Sequence, residues 1–380
     1  MKKMNIKTFV ILTTTCFMMA SLNVNAGNKD RVGQAGAYEL LINPWARSTG
    51  LSGSNIANAR GIESAYLNIA GLAFTQKTQI IFAQTQYLKG SGINISALGF
   101  SQRVGKESVI GINVVSMSFG EMQITTPNQP EGGIGTFSPS YMNIGISYAK
   151  SFSNSIHGGF NLKVINESIS DLNASGIAID AGIQYVTGIG ENKSDNLRLG
   201  ITLKNIGTPM SFSGDGISVR GLINGSTNNL TLEMRSGDFE LPSLLAIGAS
   251  YSFLWGNKAN VSSTSTNNKP TSSELTTDNA MHNLTLSATF VANSFTKDNF
   301  LLGAEYNYKK LFSIRGGYYY ESGIIGSSDT RTTAFTGPSA GCSLKLPLSK
   351  EKNSSVSIDY SYRFTNPWGG CHTIGALIDL

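Results

Sequence analysis

The sequence predicts a closed antiparallel barrel of fourteen β-strands spanning a membrane, with an N-terminal plug inside it. Three observations carry that prediction. From about Lys77 to the last residue, apolar and polar side chains take turns in short segments, the period of a strand with one oily and one watery face. Only 14% of the chain is charged, against about 25% in ordinary soluble domains, yet after the first 26 residues no apolar run reaches the roughly 18 residues a helical span needs. A transmembrane barrel reconciles the two, because it spaces its apolar residues two apart. Finally, the stretch from Asn43 to Phe74 has neither a strand's period nor a core helix's apolar load, so it must pack inside something else.

The N-terminus reads as an export signal. Lys2, Lys3 and Lys7 precede an uncharged run from Thr8 to Leu22, and Val24-Asn25-Ala26 ends it with small residues at the positions a signal peptidase reads. Cleavage after Ala26 removes three lysines, which lowers the net charge from +5 to +2, and nothing in that balance points to nucleic acid. The organisation is therefore a signal at 1–26, a plug at 27–76 and a barrel at 77–380, placed in a cell's outer membrane with lipid as its first partner.

Ser355 to Phe364 is the clearest strand: Val356, Ile358, Tyr360, Tyr362 and Phe364 share one face, and Ser355, Ser357, Asp359, Ser361 and Arg363 the other. The same alternation sets Met142, Ile144, Ile146 and Tyr148 against Asn143, Gly145, Ser147 and Ala149, and Leu197, Leu199, Ile201 and Leu203 against Arg198, Gly200, Thr202 and Lys204. Segments of this kind centre near residues 82, 98, 114, 146, 162, 181, 201, 249, 287, 304, 316, 344, 360 and 376. An even count puts both ends on one side. The long connections Gly120 to Tyr141, Gly207 to Pro242 and Ser322 to Ser339 then fall outside, and tight turns near Val104, Phe152, Lys309 and Ser349 fall inside. The early strands are blurred, with Val114, Val115, Met117 and Phe119 apolar on both parities. A Ser/Thr/Asn-rich stretch at 256–281 reads as linker. The last strand, Thr373 to Leu380, ends apolar, as assembly signals of such barrels do, although Leu380 stands where an aromatic residue is usual.

Within the plug stretch, Gly, Ala, Ser and Asn dominate, and Gly50, Gly53, Gly61 and Gly71 would permit close backbone approach or positive φ. Arg47, Arg60 and Glu63, buried in a barrel, must pair with one another or with lumen groups such as Asp180, Glu305 or Asp359. They could form a releasable latch or simply satisfy a fixed plug, and the fixed plug is the simpler reading.

Asn43, Pro44, Arg47 and Gly50, then Glu63, then Asn68, Ala70, Gly71 and Leu72 make a pattern of the form N-P-x-x-R-x-x-G followed by an acidic residue and a close relative of N-P-A-G-L. This resembles the PorV/PorQ family of Bacteroidota, itself similar to the FadL fatty-acid transporters. Ile69 departs from it, standing where that family has proline. The resemblance implies a component of the type IX secretion system that binds secreted cargo signal domains, or translocon and attachment-complex proteins, through outer loops and barrel rim. A FadL-like conduit for hydrophobic small molecules is the alternative.

The residues point to no enzyme, cofactor or metal. His157, His282 and His372 are far apart and lack partners at metal or triad spacing, and no phosphate-binding glycine loop or G-x-S-x-G turn is present. Cys342 and Cys371 lie near outer strand ends, so a disulfide is open, although their parities place them on different faces. The loop Gly207 to Pro242 mixes Met210, Phe212, Ile217, Leu222, Leu230 and Leu232 with Arg220, Glu233, Arg235, Asp238 and Glu240, a composition suited to folding against a protein or to covering the barrel mouth.

Overall fold

The computed structural model describes residues 31–190, 195–222, 228–258, 277, 280–325, 333–349 and 354–380. The export signal and most of the linker at 256–281 lie outside the described residues.

Fourteen strands close into one antiparallel barrel. In chain order they are β1 Thr78–Tyr87, β2 Ile93–Val104, β3 Ser108–Ser118, β4 Ser140–Ser151, β5 Ile156–Ile169, β6 Leu172–Thr187, β7 Leu197–Gly207, β8 Leu244–Lys258, β9 Ala280–Asn293, β10 Asn299–Tyr308, β11 Phe312–Glu321, β12 Phe335–Ser349, β13 Ser354–Thr365 and β14 Cys371–Asp379. Each of the fourteen segments read from alternation falls in one of them. The last strand closes on the first, with Ile80 opposite Ile378 and Thr85 opposite Thr373, so no strand is left as a free edge, as a lipid environment demands.

Period two sets the faces. Ile146, Ile183, Ile358 and Ile374 are more than half exposed on the outer wall, while Asn143, Ser147, Arg198, Asp359 and Ser361 are buried on the inner one. Connections largely segregate by length. The short links after β2, β4 and β10 share one end with the long β8–β9 connection, and the other end carries the long ones after β3, β7 and β11. Two of the long loops hold small two-stranded sheets of their own, Met122–Gln123 with Thr136–Phe137 and Ser218–Leu222 with Asn229–Glu233.

The blurred early strands have a physical cause. On β1 to β4 the inward residues Ile81, Ala83, Ile95, Ala97, Val109, Val115, Met117 and Tyr141 pack into one apolar cluster with Trp45, Ile62, Ile69 and Leu72 of the N-terminal segment. The lumen is thus oily on that side and polar on the other, where Ser287, Glu305, Arg315 and Asp359 face inward. A strand between lipid and an oily plug face has little reason to alternate.

Cys342 and Cys371 are both free. Cys342 on β12 is exposed and Cys371 on β14 is buried, with β13 between them, since Cys342 lies opposite Tyr360 and Cys371 opposite Arg363. The disulfide left open by the sequence is therefore not formed: the two thiols point to different sides of the wall.

Candidate functional site

Residues 31–75 run through the barrel from the long-loop end to the short-turn end. At the long-loop mouth Ala35 bridges Glu240, and Arg31 pairs with Glu240 at 2.7 Å. At the other end the guanidinium of Arg103 on β2 donates to the carbonyls of Ala73 at 2.9 Å and Gln76 at 2.9 Å, fixing the point where the segment enters β1. Between these anchors lie a 3-10 turn at Tyr38–Leu41, the short helices α1 Ala46–Gly50 and α2 Ser64–Leu67, and a second 3-10 turn at Ile69–Phe74. Such short helices cannot hold by themselves. Neither has a side-chain cap, and both are held by packing against the wall and the rest of the segment.

Each residue of the sequence pattern has a place in this packing. Asn43 Oδ1 accepts from the Trp45 amide at 3.0 Å and starts α1, after Pro44, which is buried. Asn68 Oδ1 accepts from the Ala70 amide at 3.2 Å, an N-terminal cap, while its Nδ2 donates to the Ile183 carbonyl at 3.1 Å on β6 and reaches that of Ile201 on β7. Ala70 and Leu72 are fully buried. Gly53 and Gly61 do adopt positive φ, at 77° and 72°. Gly50 and Gly71 do not, and serve close approach: a Cβ on Gly71 would sit 2.1 Å from the Ala59 carbonyl oxygen. Ile69, where the resembled pattern has proline, is itself buried against the wall.

Charge is neutralised along one line across the polar half of the lumen. Arg47 donates two hydrogen bonds to Glu305 on β10, at 3.1 and 2.8 Å, so this pairing from the sequence is made. Glu305 also meets Arg315 of β11 at 3.1 Å, and Arg315 lies 3.7 Å from Asp359 of β13, with Ser343 hydrogen-bonded to both. Glu63 accepts from Ser48. Arg60 instead lies 3.6 Å from Asp195 at the short-turn end, a partner the sequence gave no hint of. Asp180 serves Lys163 at 2.7 Å.

At the mouth, burial raises the Glu39 carboxyl above its ordinary value, beside Glu167. Between those two values the folded barrel holds more protons than the unfolded chain, so its stability falls as pH rises through that window. Glu39→Gln is expected to flatten this part of a melting-temperature profile against pH. Superimposable profiles for the two proteins would remove Glu39 as its source.

The histidines stand apart, each beside a hydroxyl: His157 Nδ1 with Ser151 at 2.9 Å, His282 with Tyr306 at 2.8 Å and His372 with Tyr360 at 2.8 Å. Among the described residues no group of three or more His, Cys, Asp or Glu could hold a metal.

The wall parts between β7 and β8. β8 pairs with β7 only from Leu244 opposite Lys204 to Tyr251 opposite Leu197. Beyond Lys204 the chain turns through a left-handed Asn205, φ 59°, whose amide donates to Asp180 at 2.8 Å and whose side chain donates to the Pro242 carbonyl at 2.9 Å. Ile206 and Gly207 then stay with β6 across a register shift and leave the β8 side. The resulting cleft, about 350 Å³, is lined by the outward Leu203 and Leu245, by Ile206, Ser243, Ala292 and Asn293, and by Arg31 of the inner segment. Arg31 also lies over the Phe295 ring at 4.3 Å. Nothing in the alternation of β7 and β8 foretold this; the Asn205-Ile206-Gly207 end of β7 was its only trace.

No protein-family model and no curated protein matches the chain. Solved structures do. The Pseudomonas putida toluene transporter TodX superposes with a TM-score of 0.52 at 11% identity, covering 89% of this chain and 97% of that one. A TodX deltaS2S3 mutant, a monoaromatic hydrocarbon channel, gives 0.51 at 12% identity over 88% and 97%. A Pseudomonas aeruginosa FadL homologue gives 0.50 at 11% identity over 88% and 98%. At these identities the likeness is one of fold: this chain is a fourteen-stranded FadL-like barrel.

Proposed function

We propose that this protein is a non-enzymatic outer-membrane barrel that takes up small hydrophobic molecules, with the cleft between β7 and β8 as their passage between lipid and the plugged lumen. The cleft carries the reading, because lipid-facing Leu203 and Leu245 line it together with Arg31 of the inner segment. A volume of about 350 Å³ is at the low end of small-molecule sites, a fit to single-ring hydrocarbons. The proteins that share the fold are named as transporters and channels for toluene and monoaromatic hydrocarbons, which supports this alternative over the secretion reading. The test is uptake of radiolabelled toluene by cells producing the barrel. Ser243→Trp with Ala292→Trp, which fills the cleft, is expected to lower the barrel-dependent rate at least fivefold while the barrel still assembles. Equal uptake through the filled barrel would sink the passage.

One observation favours the second reading, a type IX secretion component that binds cargo or translocon partners. The long-loop end exposes Val219, Leu222, Leu230 and Met234 on and beside one small sheet and Met122, Ile124 and Ile134 on and beside the other, apolar side chains set on ordered hairpins outside the lipid band. The base of the same loop is spent on the barrel itself, with Met210 buried and Phe239 against Gly36. Affinity isolation from the native outer membrane separates the readings: secreted proteins retained by the wild type but not by Leu222→Asp with Met234→Asp support cargo binding, and their absence counts against it.

A further inference from the structure

We propose that the outer wall at β1, β2 and β3 is the contact face of a homodimer in the membrane, two copies of this chain meeting through the uncharged polar side chains of Gln84, Ser96 and Ser116. The inference concerns the lipid-facing side of the barrel and does not depend on what the barrel carries or binds.

The first ground is a mismatch in height. On β8 every outward residue from Leu245 to Trp255 is apolar or aromatic. On β1 only Ile80 and Phe82 are outward and apolar, set between Thr78 and Gln84, and beside them on β2 Phe100 and Leu98 lie between Gln102 and Ser96. From Leu245 to Trp255 the wall climbs about 25 Å, and from Thr78 to Gln84 about 15 Å, at about 3.3 Å per residue and a strand tilt of about 40°. The first is the full apolar band of such a barrel, and the second falls well short of it. A hydrocarbon face too short for its bilayer is relieved by thinning the lipid or by association.

The second ground is the chemistry of the interruption. Gln84, Ser96 and Ser116 stand side by side in one row across three strands, between Ile374 of β14 and Met142 of β4. Those two flanking residues are 58% and 42% exposed on the same wall, so the three polar side chains break an apolar surface. Ser96 Oγ donates to Gln84 Oε1 at 2.7 Å, and among the described residues nothing accepts from the Gln84 amide protons. A donor turned toward hydrocarbon gains from any acceptor brought to it. A second copy brings one at the right height, because all copies enter the membrane in one orientation and a two-fold axis along its normal sets the row against itself. Amides and hydroxyls both donate and accept, so identical rows complement each other, whereas identical charged rows would repel. The short serine side chains also let the two walls approach closely.

Cross-linking in the membranes of producing cells tests this. In a Cys342→Ser background, which removes the exposed thiol, Ser96→Cys treated with a short bis-maleimide should give at least fivefold more covalent dimer than Ile247→Cys, which lies on β8 at the opposite side of the barrel. Adding Gln84→Leu and Ser116→Leu to Ser96→Cys, which extends the apolar band, should cut that dimer at least fivefold while the barrel still assembles. Should the leucine variant fail to assemble, the contrast between the two cysteine positions decides. Equal linking at both positions would mean chance collision and overturn the proposal, as would a leucine variant that links like its parent. Ser96→Cys captured on a different membrane protein, or linked to nothing, as when the bilayer merely thins against this face, overturns it as well.

Discussion

Gly317→Ala is expected to unseat the inner segment, whereas Gly316→Ala, one residue away, is expected to leave the barrel almost untouched. A Cβ on Gly317 would lie 2.3 Å from the Leu51 carbonyl carbon and 2.6 Å from its oxygen, and the obstacle is backbone that no rotamer change can clear. At Gly316, on the other face of β11, the nearest atom is 3.8 Å away. Overpacking of this kind costs about 1–3 kcal/mol, and more where backbone must move. The measurements are the melting temperature in detergent and the sensitivity of producing cells to a large hydrophilic antibiotic. Gly317→Ala should melt lower and leak, and equal behaviour of the two variants would mean that the segment does not sit against β11.

Glu305→Gln should be as damaging for a different reason. Glu305 is only 3% exposed and joins Arg47 at 2.8 Å to Arg315 at 3.1 Å. Without its charge two guanidinium groups face each other across an amide, with Asp359 left to offset Arg315 alone. Removing one partner of a buried pair costs about 3–5 kcal/mol. Arg47→Ala breaks the same link but should cost less, since the Arg47 side chain is 34% exposed, and Glu305 keeps Arg315. The order of melting temperatures, wild type above Arg47→Ala above Glu305→Gln, checks the argument. Reversal of the two variants would show that Arg47, not the wall, holds the network together.

The barrel was legible because lipid and lumen impose opposite demands on successive side chains. Ser355–Phe364 shows this with no break, and the strand centres along the whole chain follow from it. The rule is silent wherever the inner face meets protein instead of water. On β3, Val115 and Met117 point at Trp45 and its neighbours, so the pattern dissolved where the plug is oiliest. Glu305 could be named as a partner for Arg47 because a buried cation needs an inward acid and few strands supply one. Asp195 could not be named for Arg60, since it lies in the connection between β6 and β7 and its position depends on where those strands carry the chain.

Alternation and the small-residue stretch thus determined by themselves that there is a fourteen-stranded wall, which side chains face lipid, and that residues 43–74 lie within it. Tertiary structure alone decided which half of the lumen is apolar, that the segment enters at the long-loop mouth, and where β7 leaves β8. The division has a physical reason: the solvent on each face of a strand writes a period into its sequence, whereas contacts across a lumen join residues hundreds of positions apart and leave no local mark.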